Sequence, residues 1–187
     1  GMAPSQPPGA QVELQTDGTL PKGKGPQTGQ RPDGEASKLR ADILRVLNNK
    51  AQMQNLPKIE VEETAEGILV SLTDNANFSM FAVGSAKPNP QTIQVIEKVG
   101  RLLNSGSGPI VIRGHTDSRP YKSGVYDNWQ LSMARAQMAL YMLIRAGVSE
   151  RRIEKVEGYA DRRLKTPNNP LGSENRRLEI LLVKDKA

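Results

Sequence analysis

From Ala36 to Asn55 the apolar residues Leu39, Ile43, Val46 and Leu47 recur at three- and four-residue intervals, with Asp42 and Arg45 pointing elsewhere. That period predicts one amphipathic helix, ended by Pro57. Beyond it the period shortens. Ile59 to Glu63 and Ile68 to Thr73 are β-prone runs joined by Thr64-Ala65-Glu66-Gly67, which reads as a hairpin. A loop from Asn75 to Pro90 leads into a helix over about 90–104, whose apolar stripe includes Ile93, Ile96, Val99 and Leu103, and Ser105 to Pro109 stops it. Ile110 to Arg113 predicts a buried strand, Gly114 to Asp127 a loop, and Leu131 to Ala146 a second long helix stopped at Gly147. Ile153 to Tyr159 and Arg177 to Val183 are further strands, separated by a polar loop over 160–174. The resulting order, β-β-α-β-α-β-β, predicts an α+β sheet with helices packed on one face.

The first residues have a different character. Gly1 to Glu35 is rich in Pro, Gly, Gln, Ser and Thr and poor in branched apolar residues, so it cannot bury enough surface to offset the entropy of ordering. The chain divides accordingly into a disordered linker over 1–35, an amphipathic linker helix over 36–56 and one folded domain over 57–187. A length of 187 residues suits this division. No run approaches the roughly 18 apolar residues of a membrane span, and no signal-peptide pattern opens the chain, so the expectation is a soluble polypeptide. The opening Gly1-Met2 reads as an expression scar, compatible with an upstream anchor missing from this sequence.

Net charge sharpens the picture. Of 26 Lys/Arg and 20 Asp/Glu, residues 1–35 hold three and four, which leaves 23 against 16 and a charge of +7 for the remainder. A basic domain suits a polyanion: nucleic acid, an anionic membrane or a carboxylate-rich wall polymer. Charge does not choose among them. With no Cys there is neither a disulfide framework nor a thiolate site, and a single His makes a transition-metal site improbable.

The densest chemistry lies between Gly114 and Arg135. Asn128, Leu131, Ser132, Arg135, Met138 and Met142 fall on one helix face, so Arg135 sits among residues meant for the sheet and needs an anionic partner. Asp117, across the preceding loop, is the nearest candidate. Two readings follow: an internal ion pair that stabilises little, or a carboxylate and a guanidinium that keep capacity for the ammonium and carboxylate of an amino acid headgroup. Asn175 and Arg176, just ahead of the last strand, are either walls of this site or caps of their loop. Trp129 and Tyr126 either flank a sugar or cap the helix. Ser132, His115 and Asp117 supply the residue types of a hydrolase triad, but Ser132 lies within a helix without the G-x-S-x-G elbow, so binding rather than catalysis is expected.

Gly114-His115-Thr116-Asp117, Asn128-Trp129-x-Leu131-Ser132-x-x-Arg135-Ala136, Gly158 after a strand, and Asn175-Arg176-Arg177-Leu178-Glu179-Ile180 together resemble the OmpA-like peptidoglycan-binding domain over roughly Leu69 to Val183. The resemblance implies a β/α/β/α/β sandwich with a mixed sheet of about four strands, no enzymatic activity and no cofactor. It implies that Asp117 meets the ammonium of diaminopimelate in a peptidoglycan stem peptide and Arg135 its carboxylate, with Thr116, Asn128 and Leu131 shaping the pocket. Phe81-x-x-Gly84-Ser85-Ala86, Arg119-Pro120-Tyr121 and Ala160-Asp161-Arg162-Arg163 are most similar to the flagellar-stator branch of that family. That branch implies a periplasmic homodimer, tied to the inner membrane through an upstream helix and to a stator channel subunit, with peptidoglycan rather than nucleic acid as partner. The other branch weighed is a wall anchor of another envelope complex, a secretion-system anchor or an outer-membrane lipoprotein.

Overall fold

The computed structural model describes residues 32–47, 55–120 and 127–184. Residues 1–31 of the linker expected over 1–35, residues 48–54 of the helix expected over 36–56, and Tyr126 lie outside these residues. Helix α1 spans Pro32–Leu47, strands β1 and β2 span Lys58–Thr64 and Gly67–Thr73, and helix α2 spans Pro90–Asn104. Strand β3 (Ile110–His115), helix α3 (Asn128–Arg145), strand β4 (Ile153–Gly158) and strand β5 (Arg177–Val183) follow. The strand order is β1-β2-β5-β3-β4, antiparallel throughout except for β3 and β4. The strand count is thus five, the fifth being the half-exposed edge strand β1, whose alternating KIEVEET pattern suits an edge.

One face of the sheet carries the helices. Val70, Leu72, Ile110, Ile112, Leu178 and Ile180 pack there against Val95, Ile96 and Val99 of α2 and Ala136, Ala139 and Leu143 of α3, all buried. Period-2 alternation puts the neighbouring residues Leu69, Val111 and Leu181 on the opposite face in a smaller cluster. Helix α1 lies against β1 and α2 and buries Ile43 to 1% exposure, so the linker helix is docked on the domain.

Boundaries differ from the sequence expectation where local chemistry extends an element. Helix α1 starts at Pro32, four residues early, with proline in the first turn where its missing N–H costs nothing. Helix α3 starts at Asn128 rather than Leu131 because Asp127 and Gln130 form a capping box: the Asp127 carboxylate accepts from Gln130 N at 2.7 Å, and Asp127 N donates to Gln130 Oε1 at 3.1 Å. Strand β3 runs on through Gly114 and His115, both paired with β5.

Topology gathers the chemistry at one end. The ends of β2 and β3 and the start of β5 meet there, since Thr73 and His115 both pair with Arg177. One residue further, Asp74 and Thr116-Asp117 flank Arg176. The β3-α3-β4 crossover brings the first turns of α3 to the same edge, the usual position for ligands in open sheets containing parallel strands.

Candidate functional site

Asp117 follows β3 in a loop fixed on both sides. Thr116 N donates to Ala160 O at 2.9 Å, Ser118 N to Pro170 O at 2.9 Å, and Arg119 N to the Asp117 carboxylate at 2.9 Å. The Asp117 side chain is 1% exposed, and its Oδ2 accepts from Arg176 Nη1 at 2.6 Å. Its ion-pair partner is therefore Arg176, not Arg135. Arg135 projects from α3 toward the 82–85 turn instead, where Nε donates to Ser85 O at 2.9 Å and Nη2 approaches Ala82 O at 3.5 Å. Its guanidinium also stacks over Phe81, 5.1 Å from the ring centroid.

Arg176 joins two carboxylates. Its Nε donates to Asp74 Oδ2 at 2.9 Å while Nη1 reaches Asp117. Burial pushes the Asp74 carboxyl up from its ordinary value, against the opposing hydrogen bonds from Met80 N and Arg176. Burial works against the Arg176 cation, but Asp74 and Asp117 more than offset it and hold that guanidinium above its ordinary value. Asp74, Ser79, Phe81, Val83, Arg119, Arg135 and Arg176 line a cleft of about 90 Å³. Asp117 lies behind Arg176 and does not line it. Two carboxylates, Asp74 and Asp117, and three guanidiniums, Arg119, Arg135 and Arg176, thus gather around a small cleft, so both an ammonium and a carboxylate would find opposite charge there. A wider groove of about 700 Å³, lined by residues including Val111, Arg113, Glu157 and Val183, lies on the helix-free face and includes none of these five charges.

The remaining expected residues divide. Asn128 stands on the site, its Nδ2 donating to Arg119 O at 3.1 Å and approaching Asp117 O at 3.5 Å. Among the described residues its buried Oδ1 has no hydrogen-bond donor, and neither does the Thr116 hydroxyl, which is also buried. Leu131 is fully buried and does not line the cleft. Asn175 is a correction to the wall reading: its Oδ1 accepts from Thr166 N at 2.9 Å and its Nδ2 donates to Asn169 O at 2.8 Å, so it caps its own loop. Trp129 is half-exposed beside Arg162, whose guanidinium lies 5.5 Å from the ring centroid. Asp74 was not anticipated. The available signal was its place directly after β2, a mostly apolar strand; Asp117 stands two residues past the end of β3.

His115 does not line the cleft but a small adjoining cavity that shares Asp74, Phe81, Arg135 and Arg176 with it; its ring is stacked on Tyr159 at 5.3 Å with Nε2 against the Glu179 carboxylate. Burial pushes its pKa below 6.5; Glu179 opposes the shift, while Arg177 and Arg163 add to it. Between the depressed folded value and the ordinary one, the unfolded chain binds a proton that the folded chain refuses, so stability rises with pH across that window. Urea unfolding should show wild-type stability falling from pH 7 to 5, with a shallower fall in His115→Gln. Equal slopes would show that the imidazole is not held neutral by the fold.

The sheet and this cleft define a small α+β domain with a cluster of partly buried charges at its strand ends. The chain belongs to the OmpA family, whose match covers residues 80–177, just over half of its length. It is homologous to Motility protein B of Escherichia coli K12, 29% identical over 153 residues that make up 80% of this chain and 50% of that one. The chain therefore spans half the length of that curated relative. Its fold is similar to that of the periplasmic domain of Helicobacter pylori MotB, with a TM-score of 0.61 and 22% identity over 71% of this chain and 83% of the other. The cell wall anchor of the T6SS from Pseudomonas aeruginosa is also similar, with a TM-score of 0.58 and 25% identity over 76% and 97% of the two chains.

Proposed function

We propose that this domain is a non-catalytic anchor that binds peptidoglycan in the periplasm by taking the free diaminopimelate end of a stem peptide into the cleft lined by Arg135 and Arg176, with Asp117 behind Arg176. The observation that carries the reading is that Asp117 and Arg135, both buried on adjoining elements, are not paired with each other. An ammonium entering beside Asp117 would also have near it the Oδ1 of Asn128 and the hydroxyl of Thr116, two buried acceptors without a partner among the described residues. The ligand's carboxylate would lie toward Arg135. Kinship with Motility protein B and likeness to a cell wall anchor support this direction.

In the whole protein the domain would hold a flagellar stator to the wall, with an upstream helix in the inner membrane and a channel subunit as partner. Two or three charge-assisted bonds of roughly 1.5 to 3 kcal/mol each, less the cost of association, make a weak single site. A homodimer on one continuous polymer would gain retention through multivalency. Division into a linker over 1–35, a linker helix over 36–56 and a binding domain over 57–187 fits a tethered anchor.

Co-sedimentation with purified sacculi tests the reading. Asp117→Ala and Arg135→Ala should each reduce the bound fraction at least tenfold at limiting protein, with folding checked by circular dichroism. Binding unchanged by both substitutions would remove the site. Steep salt dependence unaffected by Asp117→Ala would indicate a general polyanion binder instead.

A further inference from the structure

Arg176 and Asp74 are clasped twice. Asp74 N donates to Arg176 O at 3.0 Å, and the Arg176 Nε donates to Asp74 Oδ2 at 2.9 Å, while Asp74 Oδ1 accepts from Met80 N at 2.9 Å. Asp74 is 5% exposed, so its carboxylate is fixed between the turn after β2 and the start of β5. The guanidinium is thus held by its Nε edge, leaving the Nη edge to reach Asp117. Because Arg176 lines the cleft and Asp117 does not, a ligand meets Arg176 before it meets Asp117.

Resting on the binding reading above, we propose that Asp74 is a positioning residue that makes Arg176 an exchangeable partner. An incoming ammonium replaces Arg176 at Asp117, and Asp74 retains the released guanidinium in the cleft, where its Nη edge takes the ligand's carboxylate beside Arg135. Net charge is unchanged by the exchange, because the zwitterion adds one charge of each sign. Asp74 keeps Arg176 and the ammonium takes Asp117, so neither carboxylate loses its counter-ion, which is the condition under which such an exchange is inexpensive. A guanidinium suits this role because its edges bond independently: Nε and one Nη serve different acceptors in one plane. Without the Asp74 charge, Arg176 would keep Asp117 as its only anionic partner and resist displacement.

The test is calorimetric titration of the full chain with two soluble tripeptide muropeptides, one ending in diaminopimelate with a free carboxylate and one with that carboxylate amidated. The proteins are wild type, Asp74→Asn, Asp74→Glu and Asp117→Ala, each with its melting temperature measured. Wild type should favour the free acid. Asp74→Asn should bind the free acid about tenfold more weakly, on the scale of one charge-assisted hydrogen bond, and its preference for acid over amide should narrow by a similar factor. Asp74→Glu should recover part of both. A merely structural role would weaken both ligands alike and leave their ratio unchanged, and that result overturns the proposal. Absence of wild-type binding, or an Asp117→Ala protein that binds like wild type, overturns the binding reading and this proposal with it. Binding that depends on Asp117 while Asp74→Asn keeps the full preference overturns this proposal alone.

Discussion

Gly114→Ala should destabilise the domain by about 3 kcal/mol and lower its melting temperature by roughly 10 °C. A Cβ at position 114 would stand 2.1 Å from the Ser132 carbonyl oxygen and 3.4 Å from the Ala136 Cβ. The first of these is backbone within a helix, which cannot swing aside as a flexible side chain would. Gly158 on β4 is in the same situation, 2.6 Å from Met133 N and 2.7 Å from Ser132 Oγ. The start of α3 therefore rests directly on the backbones of β3 and β4, tied down by Ser132 Oγ, which accepts from Ala160 N at 3.0 Å. This close seating brings Asn128 and Arg135 to the cleft, so the substitution should also weaken ligand binding in whatever fraction remains folded. Gly106→Ala is the control. Its Cβ would meet nothing nearer than Leu103 O at 3.7 Å, and its effect should stay within about 0.5 kcal/mol. Similar calorimetric melting of the Gly114 variant and wild type would mean that the helix does not sit so close to the strands.

The same glycines show what was legible along the chain. Period alone located the strands and the two long helices, because each is amphipathic or uniformly apolar. Gly114 read as the start of a loop, yet it is inside β3, kept free of a side chain by the helix crossing over it rather than by any turn. The Asp127 and Gln130 capping pair stands in the sequence in its proper spacing and accounts for the earlier start of α3.

In the site, Arg135 was recognisable as a charge where the helix pattern calls for burial, and Asp117 as the carboxylate that ends the Gly114-His115-Thr116-Asp117 motif on the loop after a strand. Their partners were not. Asp117 and Arg176 are 59 residues apart, and Asp74 and Arg176 are 102 apart. Those contacts exist only because β5 inserts between β2 and β3. Hydrophobic period sets which residues face the core but carries no information on which strand lies beside which. Charge pairing at the sheet end therefore follows from topology, and topology was the part least accessible to pattern.

Arg135→Lys should weaken muropeptide binding almost as much as Arg135→Ala, by about 30-fold or roughly 2 kcal/mol. A lysine would keep the charge, so this outcome separates geometry from electrostatics. Arg135 is 7% exposed and spends Nε on Ser85 O while its plane lies over Phe81. These contacts orient the fork and hold the turn bearing Val83 against the cleft. An ammonium is a single point with three donors. If it reached the turn carbonyl it would lose the alignment needed to meet a carboxylate at two atoms, and if it reached the ligand it would release the turn. Lysine also gives up the planar stacking on Phe81, so about 1 kcal/mol of stability should go with it. A lysine variant that binds within threefold of wild type would show that Arg135 acts as a simple positive charge, and two-point recognition of the ligand carboxylate would then be wrong.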